Sequence, residues 1–412
     1  MKLKKTRLSV IALALLMLGS FSSCIDLSPV SKGNDKLSQL LHIIGSQYVD
    51  TVDVDGLIEK TIPKVLSELD PHSVYIPAKE AEQADQELRG SFSGVGIQFM
   101  IQSDTIYVSD VIAGGPAEKV GLMPGDRIIT IDDSLYVGKM INNEGAMKRL
   151  KGPKGSEITL GIKRQGEKEL LSFTIVRGNI PVKSVDATYL IDGRWCYIKI
   201  NKFGETTYPE MLVALAQGMQ QNMQGCIIDL RGNTGGYMIA AIQMVNEFLP
   251  KGEMIVYTEG VNTPRYEEYA NGRGTCQKLP IVVITDETSA SSSEIFAGAI
   301  QDNDRGTIIG RRTFGKGLVQ QIMSFSDGSS VRLTISRYHT PSGRCIQKPY
   351  TQGQGEEYEL DLLNRYEHGE FFTQDSIKQD ESLAYKTKNG RTVYGGGGIM
   401  PDIFVPQDTT GY

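Results

Sequence analysis

Five neighbouring hydroxyls and one oddly placed lysine are the residues of this chain best suited to covalent chemistry. Thr288, Ser289, Ser291, Ser292 and Ser293 lie between an apolar run, Pro280–Thr285, and a helix-patterned run, Ser292–Gln301. A serine on such a strand-to-helix turn projects its oxygen from the sheet edge. The helix N-terminus supplies unpaired N–H groups and the positive end of a dipole. Those are the components of acyl transfer, yet serine is also a favoured N-cap, so local composition alone leaves nucleophile and cap as equal readings. Lys316 shifts the balance. It stands between Gly315 and Gly317, with Phe314, Leu318 and Val319 nearby. A lysine buried in such a setting has its pKa pulled from about 10.4 towards neutrality, where it accepts protons. Serine–lysine pairs are a variant of the nucleophile–base unit.

Rival chemistries have less support. The histidines are His42, His72, His339 and His368. None has the spacing of a Ser-His-Asp unit, and structural roles suffice for them, as capping and turn roles do for Asp229 and Asp286. Cys196, Cys226, Cys276 and Cys345 show no CxxC or Cys/His spacing, so neither a metal nor another cofactor is expected. Cys196 and Cys226 sit in apolar runs, where a thiol packs as a small core residue. Four cysteines in an exported chain could also pair as disulfides in three ways. A formal net charge of −6 over 412 residues, with no Lys/Arg cluster in the body, argues against a nucleic-acid partner.

The elements that must position this chemistry begin with an address. Lys2, Lys4, Lys5 and Arg7 precede an apolar run, Leu8–Leu18, and then Phe21-Ser22-Ser23-Cys24. Residues 1–23 have the pattern of a secretory signal and are too short for a usual membrane span. Cys24 has two readings. It is acylated, as in the bacterial lipoproteins that this stretch resembles, or it stays a free thiol. Phe21 is looser than the leucine usual three residues before a lipidated cysteine. An exported protein, periplasmic or in the cell envelope and held to a membrane through Cys24, is the expectation. Residues 24–36 read as a polar tether. Over 37–89 the spacing predicts helices, one with Leu37, Leu40, Leu41 and Ile44 on one face, another with Leu57, Ile58, Ile62 and Val65.

From 90 to 178 the texture changes to short strands. Gly94-Val95-Gly96-Ile97-Gln98-Phe99, Ile106-Tyr107-Val108, Gly114-Gly115-Pro116-Ala117 and Gly121-Leu122-Met123-Pro124-Gly125-Asp126-Arg127-Ile128 follow in order. This series resembles a PDZ domain of the bacterial, protease-attached kind. The resemblance implies that Val95, Gly96 and Ile97 form a carboxylate-binding loop. Glycine there lets backbone N–H groups converge on a terminal carboxylate, and the adjoining strand edge pairs with an extended peptide. A β-domain serving only as a spacer is the alternative.

Residues 179–412 alternate strand and helix patterns, which predicts an α/β core of βα crossover units. Trp195–Ile200 is a strand. Thr207 and Glu210 form a capping-box pattern before a helix with Met211, Leu212, Leu215 and Met219 on its apolar face. Strand Cys226–Leu230 leads into Arg231-Gly232-Asn233-Thr234-Gly235-Gly236 and a helix over Tyr237–Phe248. Residues 350–391 are polar and acidic and read as a surface excursion.

Taken together, Ser289–Gln320 is similar to the signature of the carboxy-terminal processing, or tail-specific, peptidases. That signature is a Ser/Thr-Ala-Ser-Ala-Ser-Glu box, then Gln-Asp-Asn, then Phe-Gly-Lys-Gly-x-Val-Gln. Leu69-Asp70-Pro71-His72-Ser73, Asp229-Leu230-Arg231, Thr340-Pro341-Ser342-Gly343-Arg344 and Gly398-Ile399-Met400-Pro401-Asp402 look like further landmarks of the family. The resemblance implies a crotonase/Clp-like catalytic core with an inserted PDZ domain and an N-terminal helical segment. It makes Ser291 the nucleophile, Lys316 the base 25 residues later and Gln320 its orienting partner. It places the Gly235–Gly236 turn beside the nucleophile, so that one of these glycines joins the Ser292 N–H as an oxyanion donor. Ser292 itself departs from the usual alanine. The expected activity is endoproteolysis of partly unfolded proteins whose free C-termini the PDZ domain engages, with homo-oligomerisation left open. The competing class is a PDZ module on an inactive peptidase scaffold.

Overall fold

The structure, a computed structural model, describes residues 32–81, 91–139, 141–181 and 183–409. The signal-like segment and Cys24 lie outside them. The chain divides into two units, residues 1–61 and 62–412. In the first, a helix runs over Lys32–Gln47 and exposes Leu37, Leu40 and Ile43. It starts inside the stretch assigned to the tether, because backbone bonding, not the first apolar residue, sets a helix end.

The second unit holds two cores. The larger is built on a six-stranded sheet in the order Val185–Ile191, Trp195–Ile200, Gly225–Asp229, Ile281–Thr285, Thr307–Gly310 and Ile403–Phe404. The first pair is antiparallel and every later pair is parallel. Parallel neighbours require crossovers, and Thr207–Gln220, Met238–Asn246 and Ser292–Asp302 are the helices along them. Period-two burial in Trp195–Ile200 puts Cys196, Ile198 and Ile200 in the core and turns Tyr197 and Lys199 to the opposite face. Cys226 and Ile228 of the next strand are fully buried, and Phe248 packs edge-on against Phe296 behind it. The cysteines here are free thiols, and Cys196, Cys226 and Cys276 are buried core residues.

A second sheet carries Val74–Ile76, Ser330–His339, Met254–Glu259 and Tyr266–Tyr269, with Leu318–Ser324 also paired to Ser330–His339. The smaller core belongs to the inserted domain. Its sheet runs Ile97–Gln102, Thr105–Val111, Arg127–Ile131, Glu157–Lys163 and Leu171–Val176, over a core that includes Ile106, Val108, Ile128, Leu160 and Ile175.

Two expectations need correction. The Thr207/Glu210 capping box does not form. Thr207 lies within the first turn, and Glu210 instead accepts the Ser184 and Val185 N–H groups at 2.8 Å each, tying the helix to the neighbouring strand. The 350–391 stretch is not only surface. It buries Tyr358, Arg365, Glu370 and Phe371, with Arg365 and Arg312 both paired to Glu370.

Candidate active site

Four loops meet where four neighbouring parallel strands end. They follow Ile200, Asp229, Thr285 and Gly310, and they carry Phe203, Gly235–Gly236, Ser291 and Lys316. Sites in open α/β sheets form outside these carboxyl ends, since side chains and N–H groups of successive loops converge there.

Ser291 has φ 55° and ψ −114°, the geometry of the first central residue of a type II′ turn. The Ser293 N–H closes that turn on the Ala290 carbonyl at 3.1 Å. A non-glycine residue held this way costs about 1–3 kcal/mol, so the surroundings must over-determine it. They do so with the other hydroxyls. Thr288 Oγ1 donates to Asp286 (2.8 Å), Ser289 Oγ to the Leu230 carbonyl (2.8 Å), Ser292 Oγ to the Gly236 carbonyl (2.9 Å) and Ser293 Oγ to the Asn233 carbonyl (2.9 Å). Of the five, only the Ser291 hydroxyl donates to nothing among the described residues.

Glu294, fully buried, holds the two halves of the site together. Its Oε2 accepts the N–H of Ser291 and the N–H of Lys316, each at 2.8 Å. Its Oε1 accepts the Gly315 N–H (2.7 Å) and the Thr313 hydroxyl (2.5 Å). Burial pushes this carboxyl up from its ordinary value against the pull of those four donors. Tyr338 adds a second tie, its hydroxyl 3.0 Å from the Ser291 carbonyl and 2.7 Å from the Lys316 carbonyl, its single proton serving one at a time.

The Lys316 amine donates to Gln320 Oε1 at 3.2 Å, and Gln320 Nε2 donates to the His72 carbonyl at 2.6 Å, which turns the amide oxygen towards the lysine. His72 is held in turn by Asp70, which accepts the N–H groups of His72 and Ser73 and the hydroxyls of Ser73 and Thr334. Burial, with the Arg332 charge acting in the same direction, lowers the Lys316 amine from 10.5 to about 8, against the opposing pull of Glu294 and Asp70. Burial, then the nearby Lys316 charge, takes the His72 imidazole down to about 4, and its Nε2 lies 2.8 Å from the Tyr358 hydroxyl. His72 is therefore neutral at physiological pH. His339 stacks on Tyr257, away from these contacts. Ser291 and Lys316 share a clamp without a hydrogen bond between their side chains.

The glycine turn is pressed against the serine. Gly235 has φ 103°, and a Cβ there would lie 2.7 Å from Ser291 Cβ, so only glycine fits. The Gly235 N–H donates to Asn233 Oδ1 at 2.9 Å. The N–H groups of Gly236 and Ser292 donate to nothing among the described residues, and the Ser292 hydroxyl links their two loops. Asn233 Nδ2 completes the frame by donating to the Ile200 carbonyl.

In the inserted domain Val95 is buried, and its carbonyl accepts the Ala117 N–H at 2.8 Å. Gly96, at φ 83°, turns its carbonyl to the Ile112 N–H at 3.0 Å. The Val95 and Gly96 N–H groups donate to nothing among the described residues. Ile97 opens the edge strand of the sheet, so one ladder side faces outwards.

Sequence reasoning passed over Glu294, Asn233 and Tyr338. Glu294 had a readable signal, the Ser-x-x-Glu spacing from Ser291 that marks a capping box. Asn233 and Tyr338 act through backbone groups distant in sequence, which no local pattern announces. Among the described residues no group of histidines, cysteines and carboxylates is arranged to hold a metal.

Comparison with known proteins bears on this geometry. Residues 194–354 match Peptidase family S41, and residues 83–163 match the PDZ domain. The chain is 37% identical over 317 residues to a carboxy-terminal-processing protease of Bartonella bacilliformis, covering 76% of this chain and 72% of that one. It is 33% identical over 391 residues to the carboxy-terminal processing protease CtpA of Bacillus subtilis, covering 92% and 83%. To CtpB of Bacillus subtilis it is 35% identical over 320 residues, covering 77% of this chain and 66% of the relative. Spanned over more than two thirds of two such relatives, the chain belongs to the carboxy-terminal processing serine proteases of peptidase family S41.

Proposed function

We propose that the protein is an exported endopeptidase that cleaves partly unfolded proteins by a Ser291–Lys316 acyl-enzyme mechanism, taking their C-terminal tails on its PDZ domain. The observation that carries this reading is the strained Ser291 turn, whose hydroxyl keeps its proton undonated among the described residues and whose backbone N–H is clamped through Glu294 to that of a lysine with a pKa near 8. Neutral Lys316 takes the Ser291 proton as the oxygen attacks a peptide carbonyl. For this the amine swings on its flexible stem from Gln320 towards the serine, a contact that commonly tightens only with substrate bound. The oxyanion is received by the Gly236 and Ser292 N–H groups. Gly235 is the weaker of the two glycine candidates, because Asn233 already holds its N–H. Lys316 then returns the proton to the leaving amine, and water hydrolyses the ester by the same base. The open Val95–Ile97 loop and its edge strand suit an extended peptide ending in a carboxylate. The signal-like N-terminus and Cys24 support export and lipid anchoring. Acyl labelling in cells tests the anchor, and labelling unchanged in Cys24→Ala sinks it.

The test of the activity is hydrolysis of an unfolded, tail-bearing substrate by the wild type and by Ser291→Ala. Turnover in the wild type and none above background in the variant is expected. Equal turnover in both overturns the mechanism, and none in either favours the inactive scaffold. The pH profile gives a further prediction. A base must be deprotonated to act, so kcat/KM rises with pH through a midpoint near 8 and is indifferent to the His72 ionisation near pH 4.

Ser292→Ala separates the brace from the nucleophile. Losing the bond to the Gly236 carbonyl loosens one oxyanion donor, worth about 1 kcal/mol, or roughly fivefold in kcat with KM little changed. A loss as deep as that of Ser291→Ala would instead make Ser292 the nucleophile.

A further inference from the structure

Arg332 is the charged group at this site that the mechanism leaves without a role. It lies on strand Ser330–His339, opposite Ile322 on one side and Val74 on the other. Two residues on, Thr334 stands opposite Gln320 and donates to Asp70 at 3.0 Å. Opposed residues share a sheet face, as do residues two apart. Arg332 therefore projects on the face that carries Gln320 and Thr334, about 7 Å further along the strand. Its Nε is buried without an acceptor, and the guanidinium makes no ion pair or hydrogen bond among the described residues. Asp70, the carboxylate of this face, is already occupied by its four donors. The positive charge is close enough to be felt at both Lys316 and His72, where it acts in the same direction as burial. A partly buried cation held beside a second amine, with no anion paired to it among the described residues, is poised for one that arrives.

We infer that Arg332 is a specificity residue that binds a carboxylate of the substrate lying along the Gln320–Thr334 face. The carboxylate is either an Asp or Glu side chain near the scissile bond or the free C-terminus of a tail that is no longer held by the Val95–Ile97 loop. The guanidinium fork matches both, since either presents two oxygens in a plane. This inference rests on the peptidase reading above.

The experiment compares matched peptides: free acid against C-terminal amide, and Glu against Gln at positions flanking the cleaved bond. For each pair the ratio of kcat/KM is taken at one pH, so that any effect of Arg332 on the lysine base cancels. The wild type is expected to favour one carboxylate form by roughly tenfold or more, mainly through KM. Which pair shows the preference identifies the source of the carboxylate. R332M brings that ratio close to one, R332K restores part of it, and R332E inverts it. Melting curves confirm that the variants are folded, and R332K carries the comparison if R332M is not. A wild type without preference, or an R332M ratio equal to that of the wild type, overturns the inference while leaving the peptidase intact. A wild type that cleaves none of the peptides overturns the peptidase reading itself.

Discussion

Lys316→Met is expected to abolish hydrolysis and, at neutral pH, to make the protein more stable than the wild type. The loss of kcat/KM should reach at least about three orders of magnitude, the scale on which a nucleophile–base unit fails when either member is removed. The gain in stability follows from the depressed pKa. The amine is near 8 in the folded protein and near 10.5 when free. Between those values the unfolded chain holds more protons than the folded one, so wild-type stability climbs with pH across that window. Below pH 8 the fold carries the full cost of a desolvated cation. At about 1.4 kcal/mol per unit, and less the lost bond to Gln320, methionine should relieve about 2 kcal/mol at pH 7. The gap between variant and wild type should narrow as pH rises towards 10. Thermal melts of both proteins at pH 7 and pH 10 decide the matter. A methionine variant no more stable at pH 7, or a gap that does not close, shows that burial does not tune this lysine.

The parts of this site that could be read in the sequence are those carried by local spacing. Ser291, Lys316 and Gln320 stand at fixed intervals in one stretch, and the alternation of apolar runs around them announced the parallel strands that bring their loops together. What could not be read is held by groups distant along the chain. Among the four serines the choice is made by carbonyls of Leu230, Asn233 and Gly236, some sixty residues away. Gln320 is oriented by the carbonyl of His72, 248 residues earlier. That contact explains why the turn-rich Leu69–Ser73 stretch sits near the candidate site, although the proposed mechanism uses only the His72 carbonyl. The acidic 350–391 stretch misled for a related reason. Its charges pair with one another, as Arg365 does with Glu370, and paired charges can be buried where composition alone predicts a solvated surface.

Glu294→Gln should be the costliest near-isosteric change in the catalytic domain. The carboxylate meets donors only: three backbone N–H groups and the Thr313 hydroxyl, which itself accepts the Ile399 N–H at 2.6 Å. Glutamine replaces one acceptor oxygen with an NH₂ group. Whichever way the amide turns, that group faces two donors in a fully buried site. If it faces Ser291 and Lys316, the two candidate catalytic backbones lose their common anchor. If it faces Gly315 and Thr313, the loop that carries the lysine is freed. Buried donors left without acceptors cost about 1–3 kcal/mol each, so a loss of about 3 kcal/mol or more is expected, seen as a lower Tm. Activity should fall about a hundredfold even at temperatures where the variant is folded, since a displacement of about 1 Å between nucleophile and base is enough for that. Glu294→Asp keeps the charge but is one methylene shorter, so it can hold one side of the clamp and not both. It should therefore recover more stability than activity. A Glu294→Gln protein that melts and cleaves like the wild type would mean that the Ser291 turn and the Lys316 loop are aligned by their own strands. Tyr338, bridging the carbonyls of the same two residues, would then be the next tie to cut.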